Sequence, residues 1–157
     1  TCAQRVVIVT GTLAPASEVV TFRVGDQWFG VDVMDVQEVI GQLRLARVPL
    51  AAPGIAGFLN LRGQIVTAID LHQRLEISRR TSESLMNVVV RDGDELFALV
   101  VDEVGDVAAV SPGTLDPAPA SLVGVWARAC NGVVRMDQGL LAVIDVTRLL
   151  DESDTRP

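Results

Sequence analysis

Lysine and tyrosine are missing from this 157-residue chain, and histidine occurs once, at position 72. Without lysine no Schiff base can form and no phosphate loop can be completed, so every side-chain cation is one of 13 arginines. The lone histidine follows an apolar strand. It leaves no Ser-His-Asp or Cys-His arrangement and no cluster for zinc or iron, and reads as a surface or capping residue rather than a ligand. Cysteine occurs twice, Cys2 and Cys130, with neither Cys-x-x-Cys spacing nor the density of a disulfide scaffold, which fits a reducing cytoplasm. Nucleotide, metalloprotease and serine-hydrolase signatures are absent. VVIVTGT looks like the opening strand of a dinucleotide fold but lacks the glycines that approach a pyrophosphate. No apolar run has the length of a membrane span; the longest, such as Leu96–Val101, are strand-sized. RVVIVTGTLAPAS is too short in its apolar part for a signal segment.

What is present is apolar and acidic. About half the residues are hydrophobic (49%), mean hydropathy is +0.38, and valine is the commonest residue, a β-branched excess that favours strands. The length suits one domain, or two small subdomains sharing a core. A net charge of −7 argues against nucleic acid and against docking on anionic lipid. Carboxylates cluster at Asp32, Asp35 and Glu38, again at Asp102, Glu103 and Asp106, and in Asp92-Gly93-Asp94-Glu95. They could serve a small carboxylate-dependent hydrolase. The competing reading puts them on turns and strand edges, where they keep an apolar β protein soluble. The Asp92–Glu95 run is too short for a calcium loop, and no other metal spacing or cofactor motif is present.

The chain repeats itself. Residues 1–18 read as an N-terminal arm and 151–157 as a tail, flanking a unit of two repeats at about 19–80 and 85–150. VVTFRVGDQWFGVDV predicts two strands around a Gly25-Asp26 turn. VMDVQEVIG is a short helical turn or a third strand, and LARVPLAAPG a loop with at most one helical turn. GFLNLR and QIVTAIDL predict a hairpin joined at Gly63-Gln64, a type II′ signal. LHQRLEI suggests one helical turn, and SRRTSES a linker. VVVRDGDELFALVVDEVGDV then repeats the first hairpin and third strand at an offset of 68, and GVVRMDQGLLAVIDVTRLL repeats the second at 75. Asp70 and Asp145 fall at matching places and are expected to cap the following helical turns. Two five-strand units of this size bury too little surface separately, which predicts two small β-barrels packed on a shared apolar seam.

The hairpin GFLNLRGQIVTAIDL holds the least expected residue, Arg62 between apolar neighbours and a glycine. On spacing alone it is a strand-end surface residue. Its counterpart in the second repeat is Asp137, so the barrel itself does not require the arginine.

With FRVGDQWFGVDVMDVQEVI, the NLRG-x-I-x-x-x-x-D-L string and the closing LLAVIDVTRLL on the page, the chain resembles the CheW family of bacterial chemotaxis adaptors over about residues 19–150. The resemblance implies an all-β fold of two five-stranded SH3-like barrels with short helical turns. It also implies a non-catalytic cytoplasmic scaffold with no cofactor and no metal. Such a scaffold couples the cytoplasmic tips of chemoreceptors to the histidine kinase CheA, without binding nucleic acid or membrane directly. Carried over residue by residue, receptor contacts fall on Gly57, Asn60, Leu61 and Arg62, and kinase contacts on Val36, Glu38 and Ile40. On periodicity alone the second set is equally an ordinary edge strand with its valines turned inward. The same domain type occurs within CheA, in CheV-type proteins and in pilus or motility pathways, and the chain carries no initiator Met, so these alternatives stay open.

Overall fold

In the computed structural model, residues 17–41, 54–77, 85–111, 113, 115–117, 124–137 and 139–150 are described. The predicted arm up to residue 16, the Pro-rich loop at 42–53, the linker at 78–84 and the tail at 151–157 lie outside them.

Ten strands account for most of this. The first repeat forms β1 (Ser17–Val24), β2 (Gln27–Asp32), a 3-10 turn at Val33–Asp35, β3 (Val36–Ile40), β4 (Ile55–Leu61), β5 (Gln64–Asp70) and α1 (Leu71–Arg74). The second forms β6 (Met86–Asp92), β7 (Glu95–Val101), β8 (Glu103–Val110), α2 (Gly124–Ala129), β9 (Cys130–Met136), β10 (Gly139–Ile144) and α3 (Val146–Leu149). VMDVQEVIG thus holds both of its predicted alternatives, a helical turn and then a strand. The expected caps are present: Asp70 accepts from His72 N, and Asp145 accepts from Arg148 N, each satisfying one orphan amide of a one-turn helix.

The sheets are not the repeats. One five-stranded sheet has the order β8-β1-β2-β10-β9 and the other β3-β6-β7-β5-β4. Each takes its leading hairpin from one repeat and its remaining three strands from the other. The chain crosses over after β2, through the 3-10 turn, and back after β7, through the single residue Asp102. Matching strands occupy matching places, so the two sheets are copies built from exchanged parts. The two repeats meet twice within each sheet, at the parallel pairs β2–β10 and β7–β5 and at the antiparallel pairs β1–β8 and β3–β6.

Burial follows from this exchange. Val88, Val89 and Val90 have no exposed surface. Successive strand residues face opposite sides, so Val88 and Val90 join the core between the sheets while Val89 enters the interior of its own sheet with Leu59, Val66 and Ala98. Strands buried on both faces read as unbroken apolar runs. Between the sheets, Phe22 stacks on Phe29 at 5.8 Å amid Leu71, Leu99, Val101 and Leu149. This is the shared seam that the repeat predicts.

Polar contacts fasten the same joint. Asp102, at the return crossover, accepts from Gly25 N at 2.6 Å and from His72 Nε2 at 2.8 Å. It ties the β1–β2 turn of one sheet to α1 of the other. A carboxylate only accepts, so Nε2 of His72 carries its proton. His72 is 5% exposed, which corrects its expected surface position: a buried imidazole needs a partner, and Asp102 is brought to it by the strand exchange. Arg74 of α1, also buried, donates through Nε and Nη2 to Leu149 O at 3.0 and 2.8 Å, satisfying an open carbonyl at the end of α3.

Because neither repeat carries a whole sheet, residues 17–80 and 85–150 expressed separately are expected to show no cooperative thermal transition by circular dichroism. Mixed, they should regain the strand signal and a single melt. A half that melts cooperatively alone would contradict the exchanged architecture.

Candidate functional site

The β4–β5 hairpin turns one residue earlier than its sequence suggests. Leu61 pairs with Gln64, so the two turn residues are Arg62 and Gly63, with φ of 52° and 84°. The predicted Gly63-Gln64 turn is therefore corrected to Arg62-Gly63, and Arg62 leaves the strand end for the turn itself. Two successive positive φ values match the right-handed twist of a hairpin, but the first normally belongs to Asn, Asp or Gly. Asn60 offsets part of this: its Oδ1 accepts from Gly63 N at 2.9 Å, closing the turn from the side.

Arg62 reaches across to Glu38. Its Nη1 donates to Glu38 Oε2 at 3.1 Å and its Nη2 to Oε1, a fork on a carboxylate. The two partners sit at opposite ends of the strand order. Glu38 lies on β3, one terminal strand of its sheet, and Arg62 follows β4, the other terminal strand. The pair therefore spans the open seam where the curled sheet brings its edges together. Beneath it, Ile40 and Leu61 pack from the two edges against one interior cluster that contains Leu59, Val66 and Val89. Glu38 follows a bulge in β3 and lies opposite inward-facing Val89; its side chain is 25% exposed, whereas that of Arg62 is 68% exposed. The acid is half sunk and the base projects. An ion pair this open contributes about 0–1 kcal/mol, so stability is a weak reason for holding an arginine in left-handed backbone.

The predicted receptor and kinase sets thus meet at one place through Arg62 and Glu38. The other members divide by role. Gly57 is buried at a β-bulge opposite Ala68, with φ 154°, and its repeat partner Gly132 has the same φ at the matching bulge. A feature shared by both sheets belongs to strand geometry. Val36 and Ile40 are half-buried, and a bulge between Val36 and Glu38 turns Val36 toward the core between the sheets and Ile40 toward the interior of its own sheet, so both serve packing of an edge strand. On β3 and β5 the exposed large apolar residues among those described are instead Val39 (41%) and Ile65 (64%), with Met34 of the 3-10 turn also exposed. Ile65 lies across the hairpin from Asn60. The motif string carried Ile65 in plain view, and strand alternation alone sets it on the face opposite buried Val66.

On the other sheet the positions of Glu38 and Arg62 are held by Asp106 and Asp137, two carboxylates that cannot form such a pair. The exposed apolar residues recur there as Val107 and Leu140.

A second concave feature lies where the first crossover meets α3. A cavity of about 390 Å³ is bordered by Asp32, Asp35 and Asp145 with Ser111, Asn131 and Thr147. This is the arrangement a carboxylate hydrolase would want. Two of the three acids have local backbone roles: Asp32 caps the 3-10 turn by accepting from Met34 N, and Asp145 caps α3. Asp35 has its carboxyl pushed above the ordinary value near 3.8, first by burial and then by the charges of Asp32, Asp145 and Asp92.

Comparison with known proteins decides between the readings. Residues 18–154 match the family model described as CheW-like domain. The chain is 29% identical over 142 residues to the chemotaxis protein CheW of Treponema pallidum (strain Nichols), covering 87% of this chain and 84% of that one. It is 24% identical over 148 residues to the chemotaxis protein CheW of Bacillus subtilis (strain 168), covering 94% and 95%. The crystal structure of the scaffolding protein TtCheW from Thermoanaerobacter tengcongensis superposes with a TM-score of 0.77 at 25% identity, over 87% of this chain and 88% of that chain. The family is one of non-catalytic adaptors, so the hydrolase reading is set aside.

The raised carboxyl of Asp35 has a consequence for stability. The folded protein holds that proton more tightly than the unfolded chain, so its contribution is fully present below about 3.8 and is lost as pH rises from there through the raised value. Asp35→Asn is therefore expected to raise the thermal midpoint at pH 7, with the gain shrinking as the buffer approaches pH 3.8. An unchanged or lowered midpoint at pH 7 would contradict this.

Proposed function

Since the chain belongs to the CheW-like domain family, whose members are chemotaxis adaptors that act through surfaces and not through catalysis, we propose that it couples the cytoplasmic tips of chemoreceptors to the histidine kinase CheA. It works in the cytoplasm, as one domain over residues 19–150. Among the described residues no helix is long and apolar enough to cross a membrane, and the acidic chain is unsuited to anionic lipid.

The observation that carries the reading is the Arg62–Glu38 seam. Arg62 is lifted on a hairpin tip in a backbone conformation that costs an L-residue about 1–2 kcal/mol, and its exposed ion pair returns less than that. Strain of this kind collects where a side chain must be presented in one direction. Glu38 holds the guanidinium in place while leaving much of it open to a partner's carboxylate or helix-end carbonyls. Ile65 and Val39 supply apolar surface near the charged pair, the composition of a modest transient interface. Within the receptor set, Arg62 makes contact, while Leu61 packs inward beneath it and Asn60 and Gly57 shape the hairpin. Within the kinase set, Glu38 is shared with the receptor surface and Val36 and Ile40 set the packing of edge strand β3. Receptor and kinase surfaces that share a residue give receptor state a direct route to the kinase contact.

Arg62→Gly separates fold from function. Glycine tolerates φ near 52°, so unfolding free energy should stay within about 1 kcal/mol of the parent. In a reconstituted assay with CheA and receptor fragments, receptor control of autophosphorylation should fall at least tenfold. Full receptor control by a well-folded Arg62→Gly protein would overturn the site.

A further inference from the structure

The two sheets are copies, so an open place on one can be compared with its filled counterpart on the other. On the first sheet, Trp126 of α2 lies against Phe29 of β2, ring centroids 5.4 Å apart, and Phe29 has no exposed surface. The counterpart of Phe29 is Phe97 of β7. Phe97 is only half-buried and borders an open groove of about 180 Å³ with Ile55, Phe58, Thr67, Ile69 and Leu150. That is room for an aromatic ring, since an apolar cavity of about 150 Å³ takes up benzene.

The alignment of the halves is secure at this point. Asp70 N donates to Gly54 O at 2.7 Å and Asp145 N donates to Ala129 O at 2.8 Å, the same bond at the base of both hairpins. Counting back from Gly54 and Ala129, the residue that corresponds to Trp126 is Ala51, and residues 42–53 contain no aromatic side chain. The first repeat therefore carries no ring at the position of Trp126, and its only extra ring here, Phe58 where the other sheet has Val133, forms a wall of the groove. The rim adds a charge: Glu95 is exposed beside the groove, where the other sheet has Gln27. Among the described residues the one cation lining the groove, Arg74, is buried and donates to Leu149 O. An apolar socket with an acid at its mouth complements a ring with a basic neighbour, and α2 has this form in Trp126 and Arg128.

We propose that the Phe97 groove is a docking site for a protein partner that inserts an aromatic side chain flanked by a basic one. The partner supplies to this sheet the ring that Trp126 supplies to the other. The groove sits at the Ile55–Ile69 end of the β4–β5 hairpin, away from the Arg62-Gly63 turn. Its failure would leave the receptor reading untouched, and the reverse also holds.

The probe is the chain's own α2 sequence as a capped peptide, GVWARA, titrated to millimolar concentration into the labelled full chain and followed by heteronuclear NMR. Saturable shifts should appear at Ile55, Phe58, Thr67 and Phe97, and not with the peptide carrying Trp126→Ala. Thr67→Trp, which fills the groove, should abolish the shifts. Glu95→Arg, on the surface and harmless to folding, should weaken binding about fivefold. If the wild-type chain shows no saturable shifts in the groove, or if Glu95→Arg and Thr67→Trp bind the peptide as well as the parent, the site is wrong. Should Thr67→Trp fail to fold, the Glu95→Arg comparison decides by itself.

Discussion

Everything in this molecule hangs on the exchange of strands between its two repeats. A repeat supplies a leading hairpin to one sheet and three strands to the other, so no sheet exists until both repeats are present. The apolar layer between the sheets and the two crossovers then form together. Asp102 marks the return crossover and binds the β1–β2 turn and buried His72 at once. Such a contact is worth most where water is excluded, and an unmatched partner there would cost about 1–3 kcal/mol. The result is two sheets held as one body, which suits a protein whose work is to keep surfaces in fixed relation.

The exchange also explains why a seam is available for recognition. Each sheet ends in two terminal strands that curl toward each other, and each must cover the gap. In one sheet the gap is bridged by Glu38 and Arg62. In the other, the matching residues are Asp106 and Asp137, so the same strand plan stands without that bridge. The fold tolerates either chemistry. A strained, two-thirds-exposed arginine on one copy alone supports the proposal that it serves partner binding, with the paired glutamate aiming it. The same comparison of copies, applied to Phe29 and Phe97, separates a filled socket from an open one.

Much of this was legible in the sequence. Two hairpins repeated in order, the caps at Asp70 and Asp145, and the shared apolar seam all follow from local periodicity and turn chemistry. The strand exchange was not legible, because a strand's alternation reports that one face is buried and not which neighbour buries it. His72 looked like a surface residue because its partner is 30 positions away and reaches it only through the crossover. The turn at Arg62 was displaced by one residue because nothing in the side chain of arginine signals a left-handed backbone. That step relocates the turn without changing which hairpin residues point outward, so the exposed position of Ile65 was open to the same period-2 reading as its neighbours.

The claim at the centre is that Arg62 and Glu38 act as one unit for recognition and contribute little to folding. A double-mutant cycle with Arg62→Ala and Glu38→Ala tests it most directly, measuring unfolding free energy and affinity for a receptor cytoplasmic fragment on the same four proteins. Unfolding should change by less than about 1 kcal/mol in each variant. Affinity should fall at least tenfold in either single variant and no further in the double, the non-additivity of residues that work together. Single variants that bind as the parent does, or a loss of several kcal/mol in stability with binding intact, would contradict the account.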